Sequence, residues 1–247
     1  MTDIKAALVT GGTAGIGRAT AEVLAATGRR VYVTGRDRAK LDAAERDIPG
    51  VVGLQADMAD LGDIALVAER LAADGVILDT LVANAGTAET TVFGQTSQAD
   101  FDRTFDLNVR GLFFTVQGLL GRLSDGASVI LIGSIVSIKG MPNLSVYNAS
   151  KAAVRSFARS WANDLRTRRI RVNTVSPGPV RTPLVEQLQG QDAGKLEAFE
   201  AWAADAAPAG RIGQPDDIAH VVRFLASPDS AYVNGIELFV DGGLAQI

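Results

Sequence analysis

Seven short runs rich in branched apolar residues recur along the chain: AALVT, RVYVTG, VVGLQAD, DTLVANAG, ASVILIGS, IRVNTVSPG and IELFVDGG. Helical patterns fill the gaps between them. Segments such as GIGRATAEVLAATG and DIALVAERLAADG space their apolar residues helically and carry a glycine near their C-terminal ends. Strands this apolar must be covered on both faces, and the alternation supplies the covering helices. The pattern therefore predicts an α/β fold, a doubly wound parallel sheet of seven strands with helices on both faces. At 247 residues the chain can bury one large core, so a single domain over 1–247 is expected. The rhythm breaks once, where TPLVEQLQGQDAGKLEAFEAWAADAAPAG, residues 182–210, is inserted between the sixth and seventh strands. Insertions at strand ends commonly serve as lids or substrate loops.

Composition removes several chemistries. The net charge is −4 and no basic cluster occurs, which argues against nucleic acid as a partner. MTDIKAALVT has no charged-then-apolar layout of a signal peptide and reads as a lead into the first strand. No apolar run reaches the roughly 18 residues a bilayer span requires. The chain has no cysteine, so disulfides are excluded and a cytoplasmic location is expected. With one histidine, His220, and no cysteine, no metal site is expected from those ligands. His220 lies in the amphipathic pattern DDIAHVVRFLA and reads as an ordinary helix residue. Acid–base chemistry then falls to tyrosine, lysine or a carboxylate.

TGGTAGIG, residues 10–17, follows the first strand and opens the first helix. Gly11, Gly15 and Gly17 permit a tight turn, close approach of a pyrophosphate and close helix packing, and the helix N-terminus offers free amides to a phosphate. Glycines also simply start helices, but the position between first strand and first helix favours a dinucleotide site of Rossmann type, with Thr13 and Ile16 in the same turn. No GK[ST] follows, which disfavours a mononucleotide loop. The second strand ends VTGRDR, where Arg36 would accept a ribose 2′-phosphate and a carboxylate would repel one; NADP(H) is favoured over NAD(H). A solvated loop arginine is the alternative. Asp37 is expected to cap the next helix. Asp57, beside Met58 at the end of the third strand, either meets the adenine or caps a helix. Asn84, Ala85 and Gly86, in ANAG, suit backbone running close beneath a ligand, or a plain turn.

SVYNASKAAV sets Tyr147 four residues ahead of Lys151, so both lie on one helical face. An ammonium near the phenol, together with a positive nicotinamide ring, is expected to lower a pKa that starts near ~10 and so ready the phenol for proton transfer. Ser134 closes VILIGS at the sheet edge where such folds bind ligands, and its hydroxyl could orient a carbonyl; Ser137 is the nearby alternative. Asn108 lies inside a helical pattern, DFDRTFDLNVRGLFFTV, where asparagine is unfavourable, which suggests a role beyond a surface polar residue.

TGGTAGIG, ANAG, LNVRG, the serine of VILIGS, YNASK and SPGPVRTP, in this order, resemble the short-chain dehydrogenases/reductases along essentially the whole chain. The resemblance implies a tetrad of Asn108, Ser134, Tyr147 and Lys151, with Tyr147 as general acid/base, Tyr147 and Lys151 also touching the cofactor, and Asn108 holding a water linked to Lys151. It also implies cofactor contacts from the SPGPVRTP loop: Pro177, Gly178, the backbone of Val180 and Thr182. The chain looks similar to bacterial NADPH-dependent alcohol dehydrogenases and carbonyl reductases; the stretch after Gly86 departs from the pattern usual in 3-oxoacyl-carrier-protein reductases. Ile135, Val136, Met141, Leu144, Leu184, Val185 and Leu188 are expected to wall an apolar substrate pocket, with Phe199 or Trp202 beyond them. Several could instead pack the lid. Competing readings are a 3-oxoacyl-thioester reductase and a non-catalytic NADP(H)-binding regulator. The resemblance implies a homotetramer or dimer acting on a small-molecule carbonyl or alcohol.

Overall fold

The computed structural model describes residues 5–190 and 192–247, so most of the expected lead into the first strand, residues 1–4, lies outside them. One parallel sheet of seven strands runs in the order β3-β2-β1-β4-β5-β6-β7. Its strands are β1 (Ala6–Val9), β2 (Arg30–Gly35), β3 (Val51–Gln55), β4 (Leu78–Ala83), β5 (Leu123–Ile132), β6 (Arg171–Pro177) and β7 (Glu237–Val240). All pairings are parallel, in a doubly wound, Rossmann-type arrangement.

Strand alternation divides the core into two layers. Ala7, Val9, Val31, Val33, Val82 and Ile130 face α1 (Gly15–Ala25), α2 (Arg38–Asp47) and α9 (Pro215–Leu225), which contribute Leu24, Leu41, Ile218 and Val222. Leu8, Tyr32, Leu81, Val129, Leu131 and Val172 face the other way, onto α3 (Leu61–Ala73), α5 (Leu112–Gly118) and α6 (Ser145–Asp164). Near-continuous apolar strands are thereby buried on both sides, as the sequence pattern requires. Among the described residues no helix is long and apolar enough to cross a membrane.

Three local features differ from the expected pattern. β5 begins at Leu123, four residues ahead of the ASVILI run, because LSDG already pairs at its start with Leu78. The helical stretch around Asn108 is not continuous: α4 (Gln98–Phe105) passes into a π-helical turn, Asp106–Gly111, before α5 resumes. Such a widened turn rotates one residue out of the ordinary register, and here that residue is Asn108, turned inward. The insertion at 182–210 folds into α7 (Pro183–Leu188) and α8 (Ala193–Ala206).

Candidate active site

The strand order reverses between β1 and β4, the point at which such sheets bind ligands beyond their C-terminal ends. Thr10 ties the two edges together. Its hydroxyl accepts from the amides of Asn84 (3.0 Å) and Ala85 (2.9 Å), and its carbonyl accepts from Asn84 Nδ2 at 2.9 Å. Gly11 turns the chain at φ +64, and a Cβ on Gly17 would lie 2.2 Å from the Gly11 carbonyl oxygen. Only glycine tolerates both positions. Ala14 at the N-cap of α1 offers no side-chain bond, so the first-turn amides remain available at this point.

Gly11, Gly15, Ile16, Gly17, Asn84, Ala85 and Gly86 line one continuous cleft, together with Ser134, Tyr147, Lys151, Pro177, Gly178, Val180 and Thr182. Residues as far apart as 11 and 182 thus line one cleft. Thr13 is not among the lining residues; its methyl group lies where a Cβ on Gly35 would approach to 2.7 Å. Arg36 stands at the tip of β2, 79% exposed at its side chain, with Asp57 3.8 Å away. Asp57 does not cap α3. That place belongs to Asp60, which accepts from Gly62 and Asp63, while Asp57 Oδ1 accepts from Ala59 N. Asp37 caps α2 as expected. The Met58 side chain is buried in the α3 layer of the core, away from the cleft.

At the inner end of the cleft, Tyr147 and Lys151 sit one turn apart on α6, with the ammonium 5.8 Å from the centre of the phenol ring. Lys151 is 6% exposed and its Nζ donates to the Ile132 carbonyl at 2.9 Å. Ser134 caps the short 3-10 turn Ile135–Ser137, its hydroxyl accepting from Val136 N. Asn108, 1% exposed, braces the segment after Gly86: Oδ1 accepts from Thr87 N and Nδ2 donates to Thr87 O, each at 2.8 Å. Nδ2 also reaches Ser150 Oγ on α6 at 3.1 Å. The Asn108 side chain therefore links the β4 loop to the helix carrying Tyr147.

Burial lowers the Lys151 ammonium to about 8. Tyr147 lines the cleft and is half-buried, and enclosure by protein pushes its phenol up; the Ser134 hydroxyl acts in the opposite direction by hydrogen bonding. In the protein alone, desolvation of the phenolate outweighs the Ser134 hydrogen bond; the expected lowering by an ammonium together with a positive nicotinamide ring concerns the cofactor-bound site.

The apolar wall is shared between two regions. Leu184 and Val185, on α7, line the cleft itself, with Thr182 capping that helix. Ile135 and Val136 are buried in a small cluster against which Met141 and the Tyr147 ring pack. Ile135 and Met141 also line a neighbouring hollow with Trp202 and Leu244. Neither Leu144, just ahead of α6, nor Leu188 lines the cleft, and Phe199 packs beside Trp202. Ala14, Thr87, Ile132, Gly133 and Pro183 complete the lining. Small or apolar residues such as these carry no chemical signal in a sequence, although each adjoins one of the motifs above.

His220 is an exposed residue of α9. No cluster of three or more histidines and carboxylates that could hold a metal occurs among the described residues.

A family profile described as Enoyl-(Acyl carrier protein) reductase matches residues 11–245. The chain belongs to the short-chain dehydrogenase/reductase family of oxidoreductases. It is similar to Oxidoreductase asL5 of Sarocladium schorii, 39% identical over 98% of this chain and 96% of that protein. A solved structure described as a short chain dehydrogenase/reductase family protein is 40% identical, with a TM-score of 0.84 over 98% of this chain and 97% of that one. The 3-ketoacyl-(acyl-carrier-protein) reductase from Brucella melitensis, complexed with NADH, superposes with a TM-score of 0.88 at 28% identity, over 98% of both chains. The specifically bacterial likeness expected from the motifs is not supported, since Sarocladium schorii is a fungus.

Proposed function

We propose that the protein is an NADP(H)-dependent ketoreductase, or alcohol dehydrogenase in reverse, acting on small apolar ketones or secondary alcohols. The observation that carries this reading is the Tyr147–Lys151 pair beside Ser134 at the inner end of a glycine-walled cleft. The cleft suits a dinucleotide: Gly11 and Gly17 let the β1–α1 turn close tightly against itself and Asn84, and the uncapped α1 amides suit a pyrophosphate. Gly15, Ile16, Asn84, Ala85, Gly86, Pro177, Gly178, Val180 and Thr182 would complete the cradle. Arg36 favours the 2′-phosphate form.

A bound nicotinamide supplies or accepts the hydride. Tyr147 gives its proton to the carbonyl oxygen, and Ser134 donates a hydrogen bond to that same oxygen. Burial favours the neutral phenol, so the proton is held until negative charge develops on the substrate. Lys151, anchored on the Ile132 carbonyl, sets positive charge near the phenolate that remains. Asn108 holds the Thr87 backbone and Ser150 in place around this pair. Leu184 and Val185 offer the carbonyl compound an apolar wall, and the 182–210 insertion is its lid. An aromatic group on α5 and α6, exposed Phe114 with half-buried Phe113 and Phe157, supports self-association on that face, as the family resemblance implies.

A second reading, reduction of a 3-oxoacyl thioester, is favoured by the likeness to the Brucella enzyme. Assaying NADPH and NADH consumption against a panel of alkyl and aryl ketones and an acetoacetyl thioester separates the readings. Turnover of ketones with NADPH is expected. Turnover of the thioester alone would favour the second reading, and tight NADPH binding without any turnover would favour a regulator.

A further inference from the structure

A carboxylate sits behind the catalytic groups rather than among them. Glu237 opens β7, and its side chain is only 8% exposed. Oε1 accepts from two hydroxyls, Ser137 Oγ and, at 2.7 Å, Ser176 Oγ; Oε2 forms an ion pair with Arg155. Burying such a charge is costly before its partners offset it, and exchanging a whole buried ionic cluster for apolar residues of similar volume is often neutral or stabilising. Stability alone therefore gives no reason for a carboxylate at the start of an edge strand.

Its three partners have something in common. Ser137 lies in the turn that Ser134 begins, and its amide donates to the Ser134 carbonyl at 2.9 Å. Arg155 is one helical turn beyond Lys151 and two beyond Tyr147 on α6. Ser176 precedes the Pro177–Gly178 turn, and a Cβ on Gly133, next to Ser134, would meet the Ser176 oxygen at 2.5 Å. One carboxylate thus connects the serine turn, the tyrosine helix and the start of the cofactor loop.

We propose, resting on the ketoreductase reading, that Glu237 is a positioning residue that sets the separation and orientation of Ser134 relative to Tyr147. It touches no reacting atom. Loosening its link to the Ser134 turn leaves both groups present but misaligned, and misplacement of about 1 Å in such a pair can cost ~100-fold in rate.

The test uses Glu237→Gln, Ser137→Ala and the double variant of the full chain, with Asp79→Asn as a control. Asp79 pairs with Arg29, away from the cleft. Carbonyl reduction is followed below the lowest melting temperature of the set. The proposal expects kcat to fall roughly 10-fold in each single variant, with KM for cofactor and carbonyl within about 2-fold of the parent. The double variant should lose no more than the worse single one, because both substitutions break one link. Asp79→Asn should lose melting temperature while keeping kcat. Parent-like kcat in both single variants overturns the proposal and leaves the ketoreductase reading intact, as do losses that merely track melting temperature. A parent protein that reduces no carbonyl compound overturns both. Should Glu237→Gln fail to fold, Ser137→Ala decides alone.

Discussion

The Lys151 ammonium is held between the Ile132 carbonyl, 2.9 Å from Nζ, and the Tyr147 ring, whose centre is 5.8 Å away. A single carbonyl is a thin substitute for water, which is why burial brings this lysine to about 8 rather than leaving it near 10.5. At neutral pH it remains charged, but with little margin. The phenol beside it is pushed the other way, so at pH 7 the pair consists of a neutral acid next to a cation.

That margin sets an alkaline limit on catalysis. Carbonyl reduction should decline as pH rises through about 8, where the ammonium is lost. Lys151→Arg, always charged, should carry the decline to higher pH if it retains turnover. The same group leaves a mark on stability. Between about 8 and 10.5 the unfolded chain binds more protons at this site than the native one, so the lysine's contribution to stability grows with pH across that window. The melting temperature of the parent, measured against Lys151→Met, should gain in relative terms from pH 8 to pH 10.

In the proposed NADP(H)-dependent reading, Arg36 sets the cofactor preference. Its guanidinium is largely exposed and only loosely engaged by Asp57 at 3.8 Å, which leaves its donors free for a 2′-phosphate. Arg36→Leu should raise KM for NADPH by roughly 10- to 100-fold and change that for NADH by no more than about 2-fold. Initial-rate kinetics with both cofactors check this, and equal effects on the two would discredit the assignment.

The N-terminus of α9 depends on Asp217. Both its oxygens are held by Arg211, at 2.6 and 2.8 Å, and it accepts from Gln214 N at 2.7 Å. The Arg211 guanidinium, first, draws its pKa down to about 2 against the opposing effect of burial, with the Gln214 amide adding to the lowering. The stabilisation is complete above the usual carboxylate value of 3.8 and is lost as pH falls through about 2. Asp217→Asn should lower the melting temperature by about 2–4 °C at pH 7, the scale of a lost helix cap in a chain this size. By pH 2 the difference should have shrunk substantially.

Much of this architecture was legible because it is periodic. Seven apolar runs alternate with helices, and each run became a strand. The site was legible where a motif lies at a strand end: Gly11, Asn84, Ser134 and Pro177 each follow or end a strand whose position the pattern had already given. What escaped were features decided by tertiary packing. The π turn at Asp106–Gly111 reads as unbroken helix, because its apolar spacing is almost unchanged. Met58 follows Asp57, which lies two residues past the end of β3 rather than at it, and is buried in the core. The raised Tyr147 phenol could not be anticipated from the i, i+4 spacing, since spacing reports the neighbouring charge and not the enclosure. Glu237, in IELFVDGG, reads as a polar residue on an edge strand; nothing local announces that Ser137, Ser176 and Arg155 converge on it.

The central claim is that one phenol transfers the proton. Tyr147→Phe removes a single oxygen and keeps the ring that packs beside Met141. With a confirmed ketone and saturating NADPH, the account predicts that kcat falls at least ~100-fold while NADPH affinity, measured by fluorescence titration, stays within about 2-fold. A Tyr147→Phe variant turning over at the parent rate would contradict it.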